Sequence, residues 1–279
     1  MRETIEFRIP EEHARRFLKS KDGTRLSIVR KIELPVTDPR LTEFRAIYQQ
    51  LLSEGAFLFT AWIPHRRYSR KELESAEIFQ LKVNSFFESG DDELGTLYDE
   101  SQVCPRCGAG ARQVSELALN TGRIPKSKDF VKMVSGEIVV SQRCWHVLRK
   151  CHLTGLEFRP VRHIGPRNQG QVPWYQLVVA SRPVDISKDT RIGINPFDDD
   201  ASGRYRCPEG HVIGLNLLSE AWIIRSSYEG SDFAQTRQLV GDRRGLLRPE
   251  PIRIVSKKAF QALRRERLKG VDFEVAHLV

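Results

Sequence analysis

Cysteine and histidine are the side chains of this 279-residue chain best suited to holding a metal, and four of them fall in two short stretches that begin alike. One reads Cys104-Pro105-Arg106-Cys107-Gly108. The other, about a hundred residues later, reads Cys207-Pro208-Glu209-Gly210-His211. Thiolate and imidazole are the donors that zinc favours, in a tetrahedral set of four. In CPRCG the proline fixes one backbone dihedral, and the glycine after the second cysteine lets backbone N–H groups approach the sulfurs. In CPEGH three intervening residues leave the longer histidine side chain room to swing back to the same ion. The expectation is a single Zn²⁺ site formed by Cys104, Cys107, Cys207 and His211. Four protein ligands leave no coordination position for water or substrate, so such a site is structural rather than catalytic. The competing reading makes CPRCG a redox pair or a structural remnant and His211 a surface turn residue.

The remaining candidates are weaker. Cys144 and Cys151 are seven apart on an expected helix and share a face, with His146 and His152 nearby. In a second, similar stretch the histidine positions are Gln261 and Arg267, so the cysteines read as core and the histidines as surface. His163 and His277 lack a partner pattern. Three consecutive aspartates, Asp198 to Asp200, have the charge to hold Mg²⁺ or Ca²⁺ but not the spacing of an EF-hand, and read as a solvated turn before Cys207. Gly-x-Ser-x-Gly, P-loop, His-Glu-x-x-His and deaminase patterns are absent, and Gly108-Ala109-Gly110 belongs to the cysteine turn. No enzymatic constellation is expected. His163 to Gln171 reads as a polar loop, and Pro173 to Val179 (PWYQLVV) as a strand.

The elements that must position the cysteine motifs follow a pattern. Val139-Val140-Ser141 opens a stretch through Phe158, and Ile254-Val255-Ser256 opens another through Phe273. The two align without gaps at Ser141 and Ser256, Leu148 and Leu263, Gly155 and Gly270, and Phe158 and Phe273. In each, valine ends a strand, serine caps a helix, glycine stops it, and a second strand begins. Asp129-Phe130 and Asp232-Phe233 begin the two copies, which span about 129–163 and 232–279. The expected fold is α+β: duplicated β-α-β units joined by a zinc-ribbon-like Cys3His site over 99–279, preceded by an N-terminal α+β region over 1–98. In that region Leu26 to Leu34 reads as a strand, followed by a helix entered at Asp38-Pro39, carrying Leu41 to Leu52 and stopped at Gly55. Ala56 to Ile63 reads as a buried strand. Ser69 and Glu72 form a capping box for a second helix carrying Leu73, Ala76, Ile78, Leu81 and Val83, with Phe86, Phe87 and Leu94 in the core.

A hydrophobic content of 40% and a charged fraction of 29% describe a globular chain. No apolar run reaches the roughly 18 residues of a membrane-spanning helix, and the N-terminus has no apolar signal segment. A cytoplasmic location without a membrane partner is expected, which suits an odd number of cysteines used for a metal. The net charge of +9 allows an acidic partner such as DNA or RNA, with basic knots at 64–71 and 263–269, although no aromatic–basic block of an RNA-binding type occurs.

Taken together, CPRCG, PWYQLVV, the second Cys-Pro motif, Gly230-Ser231-Asp232-Phe233 and the ending from Ile254 to Phe273 resemble the double-CxxCG motif proteins, known chiefly from myxobacteria. The likeness covers roughly Cys104 to Val279, and in this chain His211 stands where the second motif of the family carries a cysteine. The resemblance implies a non-enzymatic immunity protein that binds and neutralises a cognate toxin. Its contact surface would include the aspartate loop or aromatics such as Trp174 and Trp222. The alternative is a zinc-ribbon protein that binds DNA or RNA.

Overall fold

A computed structural model describes residues 1–87, 93–166, 173–245 and 247–279. These form two compact units, Met1–Ser75 and Ala76–Val279.

The first unit runs β1 (Arg2–Pro10), α1 (Glu11–Phe17), β2 (Thr24–Leu26), β3 (Val29–Pro35), α2 (Arg40–Ser53), β4 (Ala61–Arg67) and α3 (Arg70–Ser75). Its antiparallel sheet has the order β2-β3-β1-β4. Alternation along β1 sends Phe7 and Ile9 into a core with Ile32, Leu34, Phe44 and Leu58, where Phe7 meets Phe44 edge-on at 5.5 Å between ring centres. The other face of β1 carries Glu6, only 3% exposed. Burial pushes its carboxyl up, but Lys31, His65 and Arg8 more than offset this and hold it at about 2.

Several expected elements shift here. The stretch Leu26 to Leu34 is a hairpin rather than one strand, because Ser27 takes a positive φ of 55° between β2 and β3. Helix α2 forms where expected, with Asp38 Oδ1 accepting the Arg40 N–H at 2.9 Å and Gly55 at φ 75° beyond its end. The following strand begins at Ala61, five residues later than expected, and takes in basic residues. Its polar side chains are matched across to β1, where Arg66 pairs with Glu3 at 2.8 Å and His65 with Glu6 at 3.2 Å. The capping box forms, Glu72 accepting from Ser69 N and Oγ, but the helix it starts ends at Ser75.

The second unit therefore begins earlier than residue 99. It contains β5 (Ile78–Val83), β6 (Phe86–Phe87), β7 (Tyr98–Asp99), β8 (Arg112–Gln113), β9 (Leu117–Leu119), β10 (Phe130–Met133), β11 (Ile138–Ser141), α4 (Gln142–Lys150), β12 (Leu156–His163) and β13 (Trp174–Val179). It continues with β14 (Ile192–Gly193), β15 (Val212–Gly214), β16 (Asn216–Leu217), β17 (Ala221–Ile223), β18 (Phe233–Val240), β19 (Glu250–Ser256), α5 (Lys257–Arg265) and β20 (Val271–Leu278). Residues 78–83, expected in the helix, form a strand hydrogen-bonded between β19 and β20, which ties the segment to the second unit. Phe87 is buried as expected, whereas Phe86 is 63% exposed.

Two six-stranded sheets make up most of this unit, ordered β6-β10-β11-β13-β12-β9 and β15-β18-β19-β5-β20-β17. Read in those orders, each has a parallel pair at either end and antiparallel pairs between. The fold is mixed α+β. One helix packs on each sheet, capped by Ser141 accepting from Cys144 N–H or by Ser256 accepting from Ala259 N–H. Trp145 of α4 stacks on Tyr175 at 4.9 Å with Phe158 edge-on, while Phe260 of α5 stacks on Phe79 at 3.8 Å with Phe273 edge-on. The helices end at Lys150 and Arg265, before the expected glycines, and His152 and Arg267 take positive φ in the turns that follow.

The two sheets are tied by matching bonds in both directions. Asp129 accepts the Ser141 hydroxyl in its own sheet and the Lys269 N–H from the other, at 2.8 and 2.9 Å. Asp232 accepts the Ser256 hydroxyl and the Thr154 N–H, at 2.6 and 3.0 Å. The Phe130 N–H donates to Lys269 O, and the Phe233 N–H to Thr154 O. At these crossings a Cβ on Gly155 would lie 2.2 Å from Phe233 O, and one on Gly270 would lie 2.2 Å from Phe130 O. Both glycines also have positive φ, 78° and 96°. Gly155→Ala and Gly270→Ala are each expected to lower the stability of this unit by more than about 2 kcal/mol in urea titrations. Gly230→Ala has a similar φ but nothing within 4 Å of the added atom, and is expected to cost about 1 kcal/mol.

Candidate metal centre

The cysteine motifs occupy two tight turns with similar local bonding. Cys104 N–H donates to Ala109 O and Cys207 N–H to Val212 O, each at 2.7 Å. Gly108 N–H returns to Cys104 O and Gly210 N–H to Cys207 O, each at 2.9 Å, with both glycines near φ 72–75°. The second turn leads directly into β15, and the Leu239 N–H of β18 holds His211 O at 2.8 Å. The aspartate loop before it is a self-bonded turn: Asp198 accepts the Asp200 N–H, and Asp200, 1% exposed, accepts the N–H groups of Arg204 and Tyr205.

These turns bring one donor atom from each of Cys104, Cys107, Cys207 and His211 to within 4.8 Å of one another. The Cys104–Cys207 sulfur separation is 3.8 Å, and His211 Nδ1 lies 3.8 Å from both Cys107 Sγ and Cys207 Sγ. A tetrahedral ion with Zn–S near 2.3 Å and Zn–N near 2.0 Å needs edges of about 3.8 Å between sulfurs and about 3.6 Å from sulfur to nitrogen. The donor set and its spacing fit a zinc-sized cation. Cys104 and Cys207 are buried with Val212 in an apolar cluster, against which Cys107 and Leu239 pack; His211 forms the exposed edge.

The two cysteines of the first turn are shifted in opposite directions. Backbone N–H groups of Cys107 and then Arg106 point at Cys104 and hold its thiol down at about 6. Burial pushes the Cys107 thiol up to about 11, and the neighbouring thiols of Cys207 and Cys104 add to the shift. Three sulfurs this close repel one another as thiolates, and a divalent cation among them removes that penalty.

The other candidates are accounted for separately. Cys144 is fully buried, and burial drives its thiol well above the ordinary range. Cys151 is half-buried at the end of α4, 3.7 Å from an Arg265 nitrogen. His163 bonds to Thr121 at 2.9 Å, and His277 bonds to Glu220 at 2.7 Å and stacks on Trp222. Asp199 pairs with Arg191 at 2.8 Å. Among the described residues, Cys104, Cys107, Cys207 and His211 are the one group of this kind. Trp174, considered above as an exposed contact residue, is instead buried in the core of the first six-stranded sheet. Of the polar loop expected over 163–171, residues 167–171 lie outside the described residues. The reciprocal role of Asp129 and Asp232 was not anticipated, although the repeated Asp-Phe pair signals it. No helix among the described residues is long and apolar enough to cross a membrane.

Comparison with known proteins finds no matching family model, no matching curated protein and no matching solved structure.

If the four donors share one ion, the fourth ligand decides its retention. His211→Ala is expected to lower bound zinc well below the stoichiometric level and lower the unfolding midpoint, since metal-binding energy is folding energy. His211→Cys, which keeps four donors, is expected to retain zinc. Both are read by elemental analysis and thermal unfolding of protein purified without chelator.

Proposed function

We propose that this chain is a non-enzymatic binding protein whose scaffold is pinned by one structural Zn²⁺, and that it acts as an immunity protein against a cognate toxin. The observation that carries the metal part is the convergence of one donor atom from each of Cys104, Cys107, Cys207 and His211 to within 4.8 Å of one another. Because all four positions are protein donors, the ion's role is to join two turns that lie about a hundred residues apart.

The zinc-ribbon-like centre joins two copies of one unit, in this reading, and the copies are longer than the β-α-β stretches. IFQLKV of β5 matches WYQLVV of β13, and Ser115 to Leu119 (SELAL) matches Ser219 to Ile223 (SEAWI). Side-chain bonding supports the match: Thr96 Oγ1 accepts the Ala118 N–H as Thr190 Oγ1 accepts the Trp222 N–H. Ser115 Oγ likewise accepts the Leu97 N–H, as Ser219 Oγ accepts the Arg191 N–H. Each copy then begins with the strand that completes the other copy's sheet, since β5 pairs with β19 and β20 and β13 with β11 and β12. An interlocked, metal-pinned scaffold loses little freedom on association, which favours recognition of a partner's surface.

The toxin-binding role rests on the resemblance to double-CxxCG proteins. Co-expression with the product of a toxin-like reading frame beside its gene is expected to restore growth, and the two proteins to copurify. The net charge of +9 favours the second reading, nucleic-acid binding. A steep fall of DNA or RNA affinity with log salt, together with no growth rescue, would replace the immunity reading.

A further inference from the structure

The positive charge of this chain is concentrated on two helices. Residues 142–152 and 257–269, which hold α4, α5 and the turns that follow them, carry nine lysines and arginines against one carboxylate, Glu266. They supply a net +8 of the chain's +9, so the rest of the sequence is close to neutral.

The two helices lie side by side and antiparallel. Arg143 at the start of α4 donates to Glu266 O just past the end of α5. In return, Lys258 at the start of α5 donates to His152 O past the end of α4, at 3.0 Å. Their inner faces are core, with Cys144 and Leu148 buried on one and Ala259, Phe260, Ala262 and Leu263 on the other. Their outer faces carry Arg149 and Lys150 on α4 and Arg264 and Arg265 on α5, at matching positions of the repeat, with Arg267 and Lys269 beyond. All six are exposed.

Only part of this charge is neutralised. Arg143 pairs with Asp129 at 2.9 Å, Lys258 with Asp232 at 3.2 Å and Arg265 with Glu266 at 3.4 Å. Among the described residues no carboxylate pairs with Arg149, Lys150, Arg264, Arg267 or Lys269. The guanidinium groups of Arg149 and Arg264 instead lie 4.9 and 5.4 Å from the ring centres of Trp145 and Phe260, which steadies them and leaves their charge in place. The helix dipole favours cations in each last turn. It accounts neither for Arg267 and Lys269 beyond that turn nor for the lack of carboxylates.

The rest of the face narrows the partner. A protein interface is anchored by aromatic or aliphatic side chains at its centre, and a single strand is held by rings on which bases stack. Here Trp145 stacks on Tyr175 and Phe260 on Phe79, so both rings are engaged with the sheets. A phosphate backbone requires only cations. A duplex also presents two antiparallel backbones related by local two-fold axes, and this surface presents two antiparallel sets of cations related by the repeat.

We infer that the outer face of α4 and α5 binds the paired phosphate backbones of double-stranded nucleic acid. This places nucleic-acid binding on the helix pair rather than on the cysteine turns, and it rests on neither the metal nor the toxin reading.

The test is fluorescence anisotropy of the full-length protein with mixed-sequence DNA and RNA duplexes, the matching single strand and polyglutamate. Binding to at least one duplex is expected, with a dissociation constant of about 1–100 μM near physiological salt and a slope of log affinity against log salt of about −4 to −5 for five phosphate contacts. Arg149→Gln with Lys150→Gln, and Arg264→Gln with Arg267→Gln, are each expected to reduce that slope by about 2. Arg67→Gln with Lys71→Gln removes the same charge from the first unit and is expected to leave the slope unchanged. Thermal unfolding shows that the variants fold, and the salt slope and ligand comparison need no variant. Absence of salt-dependent binding to either duplex would overturn the inference. So would single strand or polyglutamate bound as tightly as duplex, or an equal loss in the first-unit variant.

Discussion

Three sulfurs and one imidazole nitrogen lying within 4.8 Å of each other are the constraint on which the second unit turns. Such a set is unfavourable as bare thiolates and favourable around a divalent cation, so a bound ion would couple metal to fold. The two turns that supply it have nearly the same backbone bonding and glycine geometry. Each closes through one bond from its first cysteine, Cys104 N–H to Ala109 O or Cys207 N–H to Val212 O, and the second is also tied to β18, where the Leu239 N–H donates to His211 O. The four donor residues are therefore held by backbone rather than by side-chain packing alone.

The sheets share a second constraint. Asp129 and Asp232 each cap a helix-start serine on one side and a turn amide on the other, and the glycines at those turns admit the opposing carbonyl only because they lack a Cβ. The sheet of β6 and β9–β13 is drawn from one stretch of chain, residues 86–179, whereas the other cannot close until β5 (Ile78–Val83) joins β19 and β20. Local segments can form their hairpins early, but closure waits on contacts far apart in sequence, which slows folding relative to a locally wired domain.

Much of this was legible in the chain. The Cys-Pro turns and the serine caps carry their own local chemistry, so residue type and spacing sufficed to place them, whereas Gly155 and Gly270, expected as helix stops, lie beyond the helix ends against the distant Phe233 and Phe130 carbonyls. What depended on distant partners was harder to read. IFQLKV follows a sound capping box, and its apolar residues suit a helix nearly as well as a strand; its strand state comes from pairing with β19 and β20, nearly two hundred residues away. AFLFTAWI looks like a buried strand by composition, yet the paired segment runs on to Arg67 because Glu3 and Glu6 on the neighbouring strand receive its basic side chains. The basic residues of 142–152 and 257–269 are readable as charge in the sequence. That they share one face is visible only once Arg143 meets Glu266 and Lys258 meets His152.

The central claim is that one zinc ion is shared by both cysteine turns. X-ray absorption at the zinc edge, on protein purified without chelator, tests it directly. The account predicts about one zinc per chain in a shell of three sulfurs near 2.3 Å and one nitrogen near 2.0–2.1 Å. A shell with only two sulfurs completed by water oxygens, or protein that carries no zinc at all, would contradict it.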